Sequence, residues 1–553
     1  MFFRFLYILL LALLAGSAVC SNFMMNLAWT LLFVNWICER DFKRKFADFK
    51  TNGLLHFAIF YFLISAISLI WTEDLYKGLD VMRQTLPILV VPLVVLTSRP
   101  LNTKQWRLVA VGYVGTVFVV TVIGFVRWLT IPDLPYRQIV PYISHIRFSL
   151  NLVFATVLLL YACLKAFDRR TFVQSPILYS LVLLLALWFI FYLFLLQSYT
   201  GLIILIVTAL ISLFVWFRRM QTRPLRWTLL LGSLLTLAVF SGVVAYYVND
   251  YYTPRLDTVD RSRVTANGNH YTFARDGLVE CGRYVNDFVC EDELRAEWPK
   301  VSRMPVDSLT PVGYTIMPAL VRYLNAMGVT KDSAGIASLT KSDIAAIEQG
   351  VANPVYAQST SLRRMVYVML FEYENYRCYH SVKGFTMLQR FELWKETWTV
   401  VRDHWLYGVG VGSVRPVLER QLLADQSPLA DRHMMPHNQY LTILLTFGAI
   451  LSALLLVCFI WALVSRRNLR NPLFLACLII VLLSCLTEDT LQTCAGALFT
   501  SLFLSLTSGL TKTITKTKTE PQGGLVQSSK FKVQGGLTKT EAAPNQNDNE
   551  FCD

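Results

Sequence analysis

Residues 176–217 read PILYSLVLLLALWFIFYLFLLQSYTGLIILIVTALISLFVWF. This stretch contains no charged side chain, and only the short segment 197–200 interrupts its two apolar runs. An α-helix rises about 1.5 Å per residue, so about 20 apolar residues cross the hydrocarbon core of a bilayer. The stretch therefore predicts two membrane-spanning helices joined by a tight turn.

The composition of the whole chain also indicates a membrane protein. Of its 553 residues, 54% are hydrophobic and 16% are charged, and the mean hydropathy is +0.46. A soluble domain carries about 25% charged residues. The net charge of +14 comes from short clusters of Lys and Arg between apolar runs and in the tail. That distribution is typical of membrane topology signals, so we expect no nucleic acid partner.

Similar apolar runs recur along the chain and predict about twelve transmembrane helices, which makes the fold an all-α polytopic membrane protein. The first run follows Arg4 and precedes Cys20, a pattern that a signal peptide or lipoprotein site also shows. Val19 before that cysteine, and a second apolar run close behind, favour a retained first helix. The runs lie at roughly 4–20, 24–38, 54–71, 85–98, 107–129, 148–166, 176–196, 200–217, 226–248, 437–464, 471–485 and 491–509.

The basic residues predict an orientation that does not depend on exact helix boundaries. Lys and Arg cluster in alternate connections, around residues 40–50, 99–107, 165–170, 218–226 and 466–470. The opposite short connections at 197–200 and 486–490 contain neither residue. The positive-inside rule then places both termini in the cytoplasm and residues 249–436 in a large periplasmic loop.

Four regions follow from this topology: transmembrane helices 1–9 in 1–248, the loop domain in 249–436, helices 10–12 in 437–509, and a disordered cytoplasmic tail in 510–553. The loop domain should be mostly helical, because Leu362–Tyr376 and Met387–Trp405 have helical apolar spacing. Thr340 and Asp343 form a capping-box pattern. Cys281 and Cys290 could form a disulfide in an oxidising compartment, but Cys378 would then be left over.

His437 is a candidate general base, because it follows Pro436 at the opening of the tenth span. The partial positive charge at a helix N-terminus disfavours an imidazolium, and a neutral imidazole can accept a proton. The plainer alternative is an interfacial histidine that only hydrogen-bonds a headgroup or the backbone. His433 lies four residues earlier and suggests a metal site, but Pro436 interrupts the helix that such a site needs. We therefore expect no metal.

Arg147 and Arg390 are candidate anion-binding residues, since arginine grips phosphate oxygens with two parallel hydrogen bonds. Arg147 lies at the outer start of the sixth span, where it could instead extend to the membrane interface. Arg390 lies on the last helix of the loop, where its alternative is a salt bridge to Glu392 or Glu396.

The segment Gly408-Val-Gly-Val-Gly-Ser413 looks like a phosphate-binding loop. It follows a helix rather than a strand and no Gly-Lys-Ser/Thr follows it, so a nucleotide-binding fold is not supported. Gly410 and Gly412 are expected to end the preceding helix and to let the backbone approach the membrane or a ligand.

Taken in order, these residues resemble the O-antigen ligase and polymerase superfamily. The marks are Arg390-Phe-Glu-Leu-Trp394, the turn Gly408–Gly412, and His437-Asn438-Gln439-Tyr440-Leu441 followed by Phe447-Gly448. About twelve spans with a large loop between the ninth and tenth also resemble this family. The loop segment 265–335 looks similar to the Bacteroidetes type of O-antigen ligase.

One departure from the family pattern concerns the start of the eighth span. Many ligases carry Ser-Arg-Thr-Gly there, and that arginine binds pyrophosphate. Here the segment is Ser198-Tyr199-Thr200-Gly201. We hypothesise that Arg147, one helix hairpin away, supplies the missing charge. Residues expected to support the site are Ser198, Thr200, Gly410, Gly412, His433 and Asn438.

The resemblance implies a metal-independent, inverting glycosyltransferase of the GT-C type in the bacterial inner membrane, with no cofactor. The donor would be a glycan on undecaprenyl diphosphate, and the acceptor a sugar hydroxyl of the lipid A core, both in contact with membrane lipids. Arg390 and Arg147 would bind the diphosphate, and His437 would deprotonate the acceptor.

Three alternatives remain open at this point. An O-antigen polymerase and a protein O-oligosaccharyltransferase belong to the same superfamily and would use the same donor. A lipid-linked glycan transporter or flippase is a different class. It predicts inverted repeats and charges near the middle of the membrane, whereas the charges here lie mostly at helix ends.

Overall fold

The computed structural model describes residues 2–519 apart from 133, 169–173, 218–222, 254–261, 274–276, 312, 358–361, 380–381, 383–385, 433 and 466–467. The first half of the described chain is helical, with α1 (Phe2–Ser17), α2 (Asn22–Cys38), α3 (Phe42–Lys50), α4 (Gly53–Ser68), α5 (Leu75–Thr97), α6 (Thr103–Thr130), α7 (His145–Asp168), α8 (Pro176–Leu195), α9 (Tyr199–Phe217) and α10 (Arg223–Tyr252).

The second half begins with four short strands and continues with helices to residue 519. The strands are β1 (Thr272–Phe273), β2 (Val279–Glu280), β3 (Arg283–Tyr284) and β4 (Asp287–Val289). The helices are α11 (Glu291–Val301), α12 (Ile316–Met327), α13 (Ser333–Ala337), α14 (Lys341–Glu348), α15 (Pro354–Ala357), α16 (Leu362–Tyr379), α17 (Thr386–Asp403), α18 (Val414–Ala424), α19 (Gln439–Val464), α20 (Pro472–Thr487) and α21 (Cys494–Thr519).

In the part of the chain that the structure describes, seven helices are long and apolar enough to cross a membrane. They are Gly53–Trp71, Leu75–Thr97, Thr103–Thr130, His145–Ala166, Pro176–Leu195, Leu230–Tyr252 and Gln439–Val464. Shorter apolar helices occupy the positions of the other predicted spans, at Phe2–Ser17, Asn22–Cys38, Tyr199–Ser212, Pro472–Thr487 and Cys494–Ser508. The mostly helical, multi-span architecture is therefore as predicted, and the count of twelve stays a prediction.

α7 lies at the centre of the helical bundle. In the most apolar stretch of α7, 78% of the residues are buried, and the helix packs against α8, α9 and α20. Hydrogen bonds between polar groups inside the bundle connect its helices, which a water-free environment favours. Tyr113 donates a hydrogen bond to the Asn151 carbonyl at 2.9 Å, and the Asn151 amide donates to the Arg147 carbonyl at 3.0 Å. The first turn of α7, which carries Arg147, is thereby fixed against the bundle.

Three basic segments that the topology places on one side of the membrane meet at one end of the bundle. The Arg4 guanidinium donates to the carbonyls of Arg99 and Pro100 at 2.7 and 2.8 Å. Arg44, in the connection after α2, donates to the Thr97 carbonyl at 3.1 Å. This arrangement agrees with the alternation of basic loops, and which end faces the cytoplasm stays a prediction.

α19 is broken in its third turn at Gly448, where φ is 69° and ψ is −177°. The segment after α17 replaces the missing helical hydrogen bonds: Val409 N–H donates to the Leu445 carbonyl at 2.9 Å, and Ala449 N–H donates to the Trp405 carbonyl at 2.7 Å. A methyl carbon on Gly408, whose φ is 69°, would lie 2.6 Å from the Gly448 nitrogen. Two glycines are needed here because two backbones touch, and the contact anchors the loop to the membrane helix.

The loop domain between α10 and α16 has a small core of its own around Trp298, Leu320 and Leu324. The Thr340–Asp343 capping box and the helices α16 and α17 are confirmed. The antiparallel pairs β1–β4 and β2–β3 were not predicted, because strands of two or three residues leave no alternation to read. Cys281 and Cys290 are both buried, as separate thiols rather than as a disulfide.

Two predicted boundaries differ from the structure in a way that concerns function. The fourth span was predicted at 85–98, but α5 begins at Leu75, where the Asp74 carboxylate accepts a hydrogen bond from Lys77 N–H. The tenth span was predicted from residue 437, but α19 begins at Gln439 with Asn438 as its N-cap. Residues 520–553 of the predicted tail lie outside the described residues.

Candidate functional site

One buried carboxylate, that of Glu488 in the connection between α20 and α21, gathers the three predicted site residues. Arg390 Nη2 lies 2.6 Å from Glu488 Oε1, and Arg147 Nη2 lies 3.6 Å from Oε2. His437 Nδ1 lies 3.7 Å from the same Oε2, which is an electrostatic contact rather than a hydrogen bond. The structure thus brings together a base candidate and two guanidinium groups from parts of the chain that lie far apart in sequence.

The backbone of the same connection holds both arginines in place. Arg390 Nε donates to the Thr487 carbonyl at 2.9 Å. Arg147 donates to the Asp489 carbonyl and to the Thr490 hydroxyl, both at 3.3 Å. Each guanidinium contacts both a backbone carbonyl and the Glu488 carboxylate, and the two contacts together fix its orientation. The two arginine side chains are therefore held in fixed positions before any substrate binds.

Asp489 holds the backbone at His437. The His437 N–H donates to Asp489 Oδ2 at 2.8 Å, and the Thr442 hydroxyl donates to Oδ1. His437 has φ of 50°, a left-handed conformation that non-glycine residues rarely adopt. Such strain persists only where the surroundings enforce it, and it concentrates at functional sites. Asp489 supplies the restraint, so the two neighbouring acids hold the side chain and the backbone of one histidine.

The charges around Glu488 decide its protonation. Burial would raise the pKa of Glu488, but the adjacent His437, Arg147 and Arg390 lower it to about 2. Burial raises the pKa of Asp489, although Thr442 and His437 oppose that shift. Glu488 is therefore an anion at any physiological pH, and it balances part of the positive charge of the two arginines.

A cavity of about 1040 Å³ adjoins this cluster. Its lining includes Arg147, His437, Glu488 and Asp489 on one side. The first three turns of α5 and the start of α18 also line it, with polar residues such as Lys77, Asp80, Gln84 and Arg415. A space of this size, with a few converging polar groups, is typical of a binding site for a small molecule or part of a larger one.

Of the predicted supporting residues that the structure describes, Asn438 and Gly412 lie at the site, and Gly410, Ser198 and Thr200 do not line the cavity. The Asn438 side chain accepts hydrogen bonds from Tyr440 and Leu441 N–H, so it begins α19 next to His437. Gly412 lines the cavity, and a methyl carbon there would lie 2.0 Å from the Asp74 carbonyl oxygen. At Gly410, such a carbon would lie 2.7 Å from the Ser68 carbonyl oxygen. Gly410 thus approaches backbone at the end of α4, and Gly412 approaches backbone just before α5.

Ser198 and Thr200 are not among the residues that line the cavity. The Ser198 hydroxyl accepts a hydrogen bond from Gly201 N–H at 3.3 Å, and it is buried at the start of α9. His433 lies outside the described residues. The local alternative for Arg390 was wrong: Glu396 contacts Lys395 and Glu392 accepts a hydrogen bond from Ser427, while Arg390 reaches Glu488.

Glu488 and Asp489, which contact Arg147, Arg390 and His437, were not predicted from the sequence. The segment 486–490 was noted only for having no Lys or Arg. The available signal was two adjacent acids directly after an apolar helix, because a carboxylate at that depth needs a cation or hydrogen-bond donors. Reading them as partners for Arg147 and Arg390 would have located the cluster.

Residues 349–456 match the protein-family model described as O-antigen ligase. Over these residues the chain is similar to the O-antigen ligase family. The resemblance predicted from the motifs is thereby confirmed. A comparison with curated proteins finds none that matches the chain.

The matched residues cover α15–α18 and most of α19, and so include Arg390, the glycine turn and His437. Members of this family are glycosyltransferase-like enzymes, ligases or polymerases, that act on lipid-linked glycans. The many apolar helices and the similarity to this family indicate a membrane protein. Arg147, Glu488 and Asp489 lie outside the matched residues, so the cluster joins the matched region to α7 and to the α20–α21 connection.

The stability of this cluster should depend on acid pH through Glu488. Its pKa in the folded protein is below the value of about 4.3 for an unfolded chain, so its contribution is complete above that value and is lost as pH falls toward 2. We expect the thermal midpoint of the purified protein in detergent to fall more steeply between pH 5 and pH 3 than that of Glu488→Gln. Parallel curves for the two proteins would contradict the assignment.

Proposed function

We propose that this protein transfers a glycan from undecaprenyl diphosphate to a sugar hydroxyl of the lipid A core at the periplasmic face of the bacterial inner membrane. The observation that carries the proposal is the convergence of Arg147, Arg390 and His437 on Glu488 beside a cavity of about 1040 Å³. Two cations and one base are the groups that a displacement on a lipid diphosphate requires.

The arginines would stabilise the leaving diphosphate. As the bond between the anomeric carbon and the diphosphate oxygen breaks, negative charge develops on that oxygen, and fixed guanidinium groups stabilise it without reorganising. Arg147 is buried and its contacts to Asp489 and Thr490 use only part of its five N–H donors. The diphosphate would share the guanidinium groups with Glu488, which keeps them in position when no donor is bound.

His437 would act as the general base that deprotonates the attacking hydroxyl, a role worth about 10²–10⁴-fold in rate. Its Nδ1 faces Glu488. A proton on Nδ1 would be stabilised by that carboxylate, which leaves Nε2 to accept the proton from the sugar. The hydroxyl oxygen would then attack the anomeric carbon opposite the diphosphate in a single displacement, and the configuration would invert.

The orientation proposed from the basic loops fits this chemistry. With both termini in the cytoplasm, the cluster lies at the periplasmic ends of α7, α19 and α20. The lipid part of the donor would lie among the apolar helices, and the loop domain would cover the sugars. Neither the mechanism nor the proposed site requires a metal or another cofactor.

Arg147→Ala should weaken binding of the lipid-linked donor by about 10- to 100-fold, because a buried guanidinium contact to phosphate is lost. Arg137→Ala is the matched control, since Arg137 is exposed and its guanidinium contacts Tyr136 rather than the cavity. The measurement is donor affinity of the purified protein. Unchanged affinity in Arg147→Ala would show that Arg147 does not replace the arginine that many ligases carry at the position of Tyr199.

A gel of the lipopolysaccharide from a deletion strain tests the function and its alternatives. A ligase predicts loss of the O-antigen ladder with accumulation of lipid-linked glycan. A polymerase predicts a core that carries a single repeat, and a flippase predicts donor trapped on the cytoplasmic face. An unchanged gel would reject both the ligase and the polymerase, and a protein O-oligosaccharyltransferase would remain.

A further inference from the structure

The cavity lining contains an arginine, Arg415, that has no part in the proposed reaction. Arg415 is the second residue of α18, its side chain is exposed, and it lines the same cavity as Arg147 and His437. Unlike those two residues, it does not contact Glu488.

The other cations along the lining have carboxylate partners. Lys77 lies 3.1 Å from Asp74, Arg83 lies 2.7 Å from Asp80, and Arg147 lies 3.6 Å from Glu488. Among the residues that the structure describes, Arg415 has no ion-pair partner. Its charge is therefore the one along the described lining that no protein carboxylate balances.

Arg415 does not stabilise the helix that carries it. A cation in the first turn of a helix meets the positive end of the helix dipole, and the first turn of α18 contains no acid to offset it. The contrast is Arg420 on the same helix, which lies 2.6 Å from Glu73 and is not part of the cavity lining. An arginine that is unfavourable for its own helix and faces a cavity indicates a ligand of opposite charge.

The start of α18 is rigidly attached to α5. Gly412 N–H donates to the Thr72 hydroxyl at 2.8 Å, and the Ser413 hydroxyl accepts a hydrogen bond from Glu73 N–H at 2.6 Å. Arg415 thus belongs to a wall built by α5 and α18, whereas Arg147 belongs to a wall built by α7 and the α20–α21 connection. Arg147 and Arg415 thus lie on separate elements of the lining, and His437 is part of the lining as well.

We propose that Arg415 binds an anionic substituent, a phosphate or a carboxylate, on a sugar of the substrate glycan. The proposal rests on the proposed glycosyl transfer, because that reaction brings two glycans to His437. The diphosphate needs only the arginines near Glu488, so Arg415 is available for another anion. The acceptor is the expected source of the anion, since the donor diphosphate belongs with Arg147 and Arg390.

Binding by the purified protein in detergent tests this without depending on catalysis. The probes are phosphorylated lipid A-core, the same lipid after phosphatase treatment, the same lipid with its carboxylates amidated, and a lipid-linked glycan with and without amidated carboxylates. Arg415→Gln should weaken binding of the untreated acceptor about tenfold, which is the size of one charge-assisted hydrogen bond. It should leave the acceptor that lacks the recognised anion unchanged. Arg415→Lys should retain most of the affinity, and Arg420→Gln is the control.

The outcomes separate the possibilities. A loss confined to the donor, and abolished by amidation of the donor, would assign the anion to the donor glycan and still support the proposal. Equal affinity of wild type and Arg415→Gln for every probe would overturn it. An equal loss for charged and neutralised probes would also overturn it, because that pattern indicates a structural role. Glycan transfer by the wild-type protein is measured separately, so inactive protein that binds the anionic probes through Arg415 would reject only the proposed function.

Discussion

His437→Ala is expected to abolish glycan transfer while the protein reaches the membrane in normal amounts. The imidazole lines the cavity and is part of the Glu488 cluster, so its removal deletes the proposed base. The expected loss is at least 10²-fold, and up to about 10⁴-fold. The structural contact at this position, from the His437 N–H to Asp489, involves only the backbone and survives the substitution. Transfer in vitro from a lipid-linked donor and immunoblots of membranes give the two measurements.

His437→Asn separates loss of the base from loss of local structure. His437 has a positive φ, which asparagine adopts more easily than alanine, but the asparagine amide cannot accept a proton at neutral pH. We expect both variants to be equally inactive. His404→Ala is the matched control, because His404 is exposed near the end of α17 and its Nδ1 contacts the Val400 carbonyl rather than the cavity. Activity retained in His437→Asn would remove the imidazole from the role of base.

The sequence alone predicted the three residues that converge, but not what makes them converge. Arg147 and His437 stand out because they lie at the ends of apolar segments, and Arg390 stands out as part of the Arg390-Phe-Glu-Leu-Trp394 motif. Glu488 lies 341 residues from Arg147 in the chain, and no local pattern pairs them. Residues in contact across such distances leave no periodicity in one sequence. The resemblance to a family supplied the order of the motifs, and the family carries its own arginine at the position where this chain has Tyr199.

Helix boundaries failed where the chain faces the cavity rather than lipid. The first three turns of α5 carry Lys77, Asp80 and Arg83, so the span predicted from hydropathy begins ten residues too late. Those turns are helical because Asp74 caps them, and they are polar because they line a water-accessible space. Some predicted spans have too few apolar residues to cross the membrane. When a short polar segment with helical spacing precedes such a span, the sequence indicates a cavity at the membrane surface.

Glu488→Ala should destabilise the protein by about 3–5 kcal/mol, because it leaves two largely buried guanidinium groups without their shared anion. The side chains of Arg147 and Arg390 are only 9% and 12% exposed, so water cannot replace the carboxylate. The comparison is Glu73→Ala: Glu73 and its partner Arg420 are 48% and 60% exposed, and such pairs contribute about 0–1 kcal/mol. Thermal unfolding of both variants in detergent measures the difference, and equal midpoints would mean that Glu488 does not balance the arginines.

Two further measurements connect this stability effect to the proposed reaction. Combining Glu488→Ala with Arg147→Leu removes one of the unbalanced charges, so the double variant should be more stable than Glu488→Ala alone. Inorganic pyrophosphate should raise the thermal midpoint of Glu488→Ala more than that of the wild type, because an anion that binds only the folded protein stabilises it and the carboxylate no longer competes. If pyrophosphate raises neither midpoint, the two guanidinium groups hold Glu488 for structural reasons alone, and the diphosphate of the donor binds elsewhere.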